Sequence, residues 1–344
     1  MAHPDGGTAG TTAAAAGGAS AARSKHPTRW RWLRRGLTLL FFVAVTGLLV
    51  RLGANVEWAA VWSGMRAITA ASLLLAALLA VVSHALVSSF DLLGRHVTGH
   101  GLSVARVWSI AWVSYVFNLN LGALVGGAGF RWRLYSRQGL DNAVIAQVYG
   151  LSVVTNWLAY LVLLGAVLLF WPIALPDEWK LGRQGLTVIG VVAPVIAVAY
   201  LLACALAPRR HWQWRGHDID LPSGRVAIVQ LMLSATNWLV IASVIFIVLG
   251  RQVDFALVLG VTLLAAVAGA ITHVPAGLGV LEAVFVALLA HVMPQNEVLA
   301  AMLTYRALYY LGPLLVAVVV FAIMEFRGRR GAAGQGHRAA RHDA

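Results

Sequence analysis

The sequence predicts an all-α polytopic membrane protein, and three observations carry that reading. Of 344 residues, 60% are hydrophobic and 11% charged, whereas soluble domains carry about 25% charged residues. Apolar runs near the roughly 20 residues needed to cross a bilayer core as helix recur along the chain. Two of those runs are interrupted by glycine-rich stretches, Asn118-Leu-Asn-Leu-Gly-Ala-Leu-Val-Gly-Gly-Ala-Gly129 and His273-Val-Pro-Ala-Gly-Leu-Gly-Val-Leu-Glu282. Backbone that leaves a helix at membrane depth must be buried in protein or line a wet cavity, because lipid cannot satisfy its N–H and C=O groups. Interrupted apolar segments at matching places in two halves of a chain point to the binding site of a transporter.

The elements follow in order. Residues 1–22 are rich in Ala, Gly, Ser and Thr, which predicts disorder, and the tail 1–32 becomes basic from Arg23 onward. Apolar spans are read at 33–51, 69–92, 104–121, 142–171, 185–207, 225–249, 254–272 and 298–323, with shorter apolar pieces at 123–136 and 278–293 after the breaks. The basic stretch before 33–51 lacks a good small-residue cleavage site after it, so this reads as an uncleaved first span. Residues 55–66 read as a surface helix anchored by Trp58 and Trp62. Pro172, Pro176 and the charges from Asp177 to Arg183 mark the loop between half-repeats 33–171 and 185–323, and 326–344 is a basic tail predicted to be disordered. The membrane part, 33–325, is a single domain.

Charge sets the expected topology. The excess of 26 Lys and Arg over 13 Asp and Glu lies between and outside the spans, which favours anionic lipid over nucleic acid as the partner. If each broken run is a re-entrant hairpin, nearly all loop arginines fall on the cytoplasmic side. Only Arg51, Arg66, Lys180, Arg183 and Arg251 lie opposite, and Arg306 lies within a span. The second half then reads as the first turned over. The outcome is about six full spans plus two re-entrant hairpins in an inverted repeat, with both termini cytoplasmic, in the cell membrane. Asp141-Asn-Ala-Val-Ile-Ala and Gln295-Asn-Glu-Val-Leu-Ala each open the span after a hairpin, and the spacing of Gly127 and Gly129 matches that of Gly277 and Gly279.

Several residues stand out chemically. Arg131, Arg133 and Arg137, interleaved with Trp132 and Tyr135, suit an anionic headgroup, though the same pattern also serves as ordinary cytoplasmic flanking. Glu282 and Arg306 are ionisable groups at membrane depth and therefore functional candidates; Glu282 is the expected partner of Arg306. Arg306 shares a helix face with Tyr310, next to Tyr309. His273 either lines the second break or caps the preceding helix. Asn118, Asn120, Asn156 and Asn237 line a polar path or tie helices together. No phosphate loop, nucleophile elbow or metal-ligand spacing occurs, so no catalytic residue, metal or other cofactor is expected. The lone Cys204 can form no intrachain disulfide.

At three places the chain resembles the transmembrane region of the lysylphosphatidylglycerol synthase family. They are Asn120-Leu-Gly with Gly126-Gly127 and Phe130-Arg-Trp-Arg-Leu-Tyr-Ser136, His273-Val-Pro-Ala-Gly-Leu-Gly-Val-Leu-Glu-Ala283, and Thr304-Tyr-Arg-Ala-Leu-Tyr-Tyr-Leu-Gly-Pro313. Two departures stand out: Ala276 replaces a usual glycine, and Asn237 an acid common before tryptophan. In multi-domain relatives this region resembles a lipid flippase, and a separate soluble domain transfers lysine to phosphatidylglycerol. No stretch here resembles that soluble domain. The resemblance therefore implies a lipid transporter or flippase rather than an enzyme. Non-catalytic partnership with a lipid-modifying enzyme, or less readily an intramembrane enzyme, are the rival readings. The expected binding residues are Asn120, Gly126, Gly127, Gly129, Arg131, Arg133, Tyr135, His273, Gly277, Gly279, Glu282, Arg306, Tyr309 and Tyr310, and the expected partners are anionic phospholipid headgroups.

Overall fold

The computed structural model describes residues 58–171, 182–207, 211–214, 217–272 and 274–324. The expected span 33–51, the tails, the loop 172–181 and His273 lie outside the described residues.

The described chain is helical throughout its apolar parts. A short α1 (Trp58–Ala67) leads to α2 (Ala70–Ser88), which continues after a turn at Ser89 into α3 (Phe90–Thr98). Thr69 caps α2 by accepting from the Ser72 N–H. α4 (Val104–Leu121) runs into a π-type turn over Ala123–Gly129 and then the short α5 (Phe130–Ser136). α6 (Asn142–Phe170) closes the first half, and α7 (Arg183–Leu206) opens the second. Between α7 and α8 (Gly224–Val248) lies an antiparallel ribbon of β1 (His211–Trp214) and β2 (His217–Asp220), with His211 opposite Asp220. These are the only strands among the described residues, in a stretch expected to be loop. α9 (Phe255–Thr272) reaches a 3-10 turn at Pro275–Gly277, and α10 (Val280–Leu289) follows it. α11 (Gln295–Arg306) passes through a π-type turn at Ala307–Leu311 into helix over 312–324.

Among the described residues six helices are long and apolar enough to cross a membrane: Ala70–Thr98, Asn142–Phe170, Gln184–Leu206, Gly224–Val248, Phe255–Thr272 and Gln295–Met324. The expected span 69–92 extends through α3. Phe255–Thr272 has the length of a span, yet its continuation α10 packs back onto α9, as a hairpin requires. α4 likewise packs against its own π turn. The order span, hairpin, span therefore occurs in both halves, and Asp141 and Gln295 stand at the starts of α6 and α11 as the sequence predicts.

Two apolar clusters hold these elements. One gathers α8 to α11 around Ile245, Leu263, Phe285 and Met302, with Tyr160 of α6. The other joins α4, α5 and the start of α6 through Ile110, Val113, Leu134 and Val148. Polar contacts add specificity between spans. Gln230 of α8 donates to Thr155 of α6 at 2.8 Å, and Trp238 donates to the Asn156 carbonyl at 3.0 Å. The two Thr-Asn-Trp-Leu segments, 155–158 and 236–239, thus meet across one helix pair.

The first hairpin is tight because Gly126 lies directly on the α4 backbone. A Cβ there would sit 2.0 Å from the Phe117 carbonyl oxygen. Gly126→Ala should destabilise the protein by about 3 kcal/mol, the upper range for overpacking. Gly150→Ala, in the exposed face of α6 with open space at its Cβ position, should be neutral or stabilise by up to about 1 kcal/mol. Unfolding in detergent or bicelles measures both.

Candidate functional site

Each break is held by a buried arginine, and each arginine is neutralised by a carboxylate from another element. In the first hairpin, Arg131 begins the return helix α5 and points back across the break. Its Nη1 donates to the Gly127 carbonyl at 3.3 Å. Its Nε and Nη2 grip Asp91 of α3 at 3.0 and 3.1 Å, and Nη2 reaches Ser152 of α6 at 3.5 Å. The Tyr135 hydroxyl donates to the same carboxylate at 3.0 Å. Asp91 is 0% and Arg131 4% exposed, so the guanidinium is occupied and closed off from solvent. Asp91 is absent from the sequence-based candidates. It was detectable, because it is the only acid inside the predicted spans 69–92, 104–121 and 142–171.

The second hairpin reverses the roles. Here the carboxylate, Glu282, sits in the first turn of the return helix α10, and Arg306 comes from the end of α11. The two form the ion pair expected from sequence, through Nε–Oε1 and through Nη2–Oε2 at 3.0 Å. Arg306 also donates from Nη1 to the Ala276 carbonyl at 2.9 Å and from Nη2 to the Gly277 carbonyl at 2.8 Å. Neither carbonyl receives a backbone N–H among the described residues. The fork of an arginine is suited to this, since it serves a carboxylate and two carbonyls from one rigid plane. Ala276 lies in the left-handed region at φ 58°, where a Cβ is strained, and Gly277 follows at φ 55°.

The π turn at Ala307–Leu311 redirects carbonyls that side chains then take up. His84 Nε2 lies 3.1 Å from the Tyr309 carbonyl, and Asn120 Nδ2 donates weakly to the Tyr310 carbonyl at 3.5 Å. The Tyr309 hydroxyl meets those of Ser83 at 2.6 Å and Tyr115 at 3.0 Å, and Ser83 donates to Asn237 Oδ1 at 2.7 Å. This chain ties α2, α4, α8 and the last span together where the hairpins approach each other.

A cavity of about 280 Å³ opens at that meeting point. Asn118, Gly122 and Ala123 of the first hairpin line one side; Gly269, Ala276, Gly277 and Leu281 of the second line another. Tyr115, Tyr305, Tyr309, Tyr310 and Trp238 complete an aromatic wall. The Arg306 guanidinium stacks 5.2 Å from the Tyr310 ring behind it.

The structure thus brings together Asn120, Gly277, Glu282, Arg306, Tyr309 and Tyr310 at one place. Gly279 caps α10 with φ 78°. Arg131 and Tyr135 gather around Asp91, the Gly127 carbonyl accepts from Arg131, Gly126 packs on the Phe117 carbonyl, and none of these four is among the residues that line the cavity. Gly129 is exposed within the π turn. Arg133 is exposed on α5 with its guanidinium 5.7 Å from the Phe321 ring. In the nearby loop between α3 and α4, burial and then the Arg95 charge hold the His100 pKa below its ordinary value. Among the described residues no group of His, Cys, Asp and Glu could hold a metal ion.

Two substitutions test the clamps. Asp91→Asn removes the counter-charge of a buried arginine and should cost about 3–5 kcal/mol in unfolding free energy. Ala276→Gly relieves the left-handed strain and should stabilise by about 1 kcal/mol, read by the same unfolding measurement.

Residues 37–317 match the family described as the lysylphosphatidylglycerol synthase TM region. The inner membrane protein YbhN of Escherichia coli is 41% identical over 89% of this chain and 97% of its own length. An uncharacterized protein of Synechocystis is 28% identical over 79% of this chain and 86% of its own. The phosphatidylglycerol lysyltransferase of Staphylococcus haemolyticus is 24% identical over 68% of this chain, and the match spans 27% of that enzyme. With six helices among the described residues fit to span a bilayer and a match of this extent, the chain is a multi-span membrane protein that belongs to the lysylphosphatidylglycerol synthase transmembrane-region family.

Proposed function

We propose that this protein moves phospholipid or aminoacylated phospholipid headgroups across the cytoplasmic membrane. The observation that carries the reading is the cavity between the two breaks. It is bounded by backbone freed from helix at the ends of two re-entrant hairpins, which is where transporters with repeated halves hold their substrate. Its walls are tyrosines and a tryptophan, whose rings suit lipid and whose polar edges suit a headgroup.

In this reading the two arginine clamps have different jobs. Arg131 keeps the first hairpin fixed against α3 and α6. Glu282 and Arg306 form the pair that opens and closes, because Arg306 holds the Ala276 and Gly277 carbonyls that line the cavity. Arg133, exposed on α5, meets the phosphate as the lipid enters from the cytoplasmic face. The family relation supports lipid as the cargo, and the name of the E. coli relative supports the inner membrane as the location.

The test is leaflet exchange of fluorescent phosphatidylglycerol, lysyl-phosphatidylglycerol and phosphatidylethanolamine in proteoliposomes, read by quenching of the outer leaflet. The wild-type protein should accelerate exchange of at least one of these lipids. Gly269→Phe should slow it at least tenfold with the melting temperature retained, because the Gly269 Cβ position is open space beside the cavity. Exchange no faster than in empty liposomes for every lipid contradicts the reading and favours a non-catalytic partner subunit. Equal rates for wild type and Gly269→Phe remove the cavity as the route.

A further inference from the structure

A second and larger hollow, about 650 Å³, lies at the other end of the helices from Arg95, Arg133 and Arg137. Its walls come from α1, the start of α2, the end of α8 and the start of α11. The polar groups facing it are Ser63, Thr69, Ser72, Gln252, Asn296 and Glu297. Glu297 is the only charged residue that lines it, and among the described residues its carboxylate has no ion-pair or hydrogen-bond partner. Among the described residues the carboxamides of Asn296 and Gln252 likewise have no hydrogen-bond partner. This unspent carboxylate contrasts with Asp91 and Glu282, both bound to arginine.

The bowl is built rather than incidental. α1 packs so closely on α11 that a Cβ at Gly64 would lie 2.9 Å from the Ala300 Cβ. α11 itself connects the bowl to the central cavity: Glu297 faces the first, and Arg306 clamps the break beside the second. Nine residues of helix separate them, about 14 Å along the axis.

We propose that this bowl binds the protonated amine of a zwitterionic or cationic lipid headgroup in the leaflet opposite the arginine-rich face. The inference rests on the lipid-translocation reading and adds a station to the path. A carboxylate, two carboxamides and three hydroxyls offer acceptors in plenty, and an ammonium brings three donors and the compensating charge. A bare anion finds no positive group in the lining. Arg66 and Arg251 neighbour the lining stretches in sequence and are exposed outside the bowl. An amine held inside, with its phosphate towards those guanidiniums, matches this order of charge.

The experiment is native mass spectrometry of the full chain released from detergent with equimolar phosphatidylethanolamine and phosphatidylglycerol of matched acyl chains. Wild type should retain the ethanolamine lipid about tenfold over the glycerol lipid, the scale of one hydrogen-bonded charge. Glu297→Gln preserves shape and removes only the charge, and should bring the ratio to parity. Ser72→Leu, which fills the bowl without touching its charge, should do the same. Gly269→Phe should keep the wild-type preference, so loss of transport through the central cavity is separable from loss of this site. Millimolar glycerophosphoethanolamine should compete only weakly. Parity in the wild type, a preference untouched by Glu297→Gln, or complete displacement by the soluble compound would overturn the proposal.

Discussion

A carbonyl that leaves a helix inside hydrocarbon has no water to accept from, and each unsatisfied group costs several kcal/mol. Two hairpins that turn at membrane depth impose this problem twice on one small protein. The solution is the same in kind both times: an arginine supplies N–H groups to the break, and a carboxylate cancels its charge. In the second hairpin the dependence is plain, because Ala276 and Gly277 offer carbonyls to which only Arg306 donates among the described residues. In the first hairpin close packing shares the work, with Gly126 on the Phe117 carbonyl while Arg131 and Asp91 lock the return helix.

The same reasoning explains the polar chain around Tyr309. A π turn presents carbonyls outside the regular ladder and recurs at functional sites. Here His84 and Asn120 reach the Tyr309 and Tyr310 carbonyls, and Ser83, Tyr115 and Asn237 satisfy the hydroxyls beside them. Apolar packing alone would not fix these helices in register within lipid, where helix and solvent are equally oily. Interhelical hydrogen bonds and ion pairs do so, and they concentrate where the hairpins meet. The cavity at that place is a consequence of turning the chain twice without filling the space between the turns.

Much of this was legible in the residues. Long apolar runs gave the spans, and Gly126, Gly127, Gly277 and Gly279 marked the breaks. The need of Arg306 for a counter-charge led to Glu282, because an unpaired arginine at mid-span is untenable. Applied with equal force to Arg131, that argument leads to Asp91. The acid sits at the end of an apolar run beside Arg95 and His96, where it resembles an interfacial charge, and sequence alone does not show that α2 continues into α3 and carries Asp91 under the first hairpin. The tyrosine wall was only half visible: Tyr309 and Tyr310 follow Arg306, whereas Tyr115 and Tyr305 look like ordinary span residues until folding brings them around one cavity. The β1–β2 ribbon left a signal that the loop reading passed over: Trp212 and Trp214 alternate with His211 and Gln213, Ile219 sits between Asp218 and Asp220, and the dipeptide Arg215-Gly216 separates the two short runs.

The most direct measurement of the account is a double-mutant cycle on Glu282 and Arg306, using Glu282→Gln and Arg306→Met and reversible unfolding in bicelles. If the arginine serves both its carboxylate and the break, the pair should couple by about 2 kcal/mol or more. Arg306→Met should still destabilise in the Glu282→Gln background, because the Ala276 and Gly277 carbonyls lose their donor. Additive effects, or no cost for Arg306→Met once Glu282 is neutral, would contradict the idea that this arginine holds the second break at membrane depth.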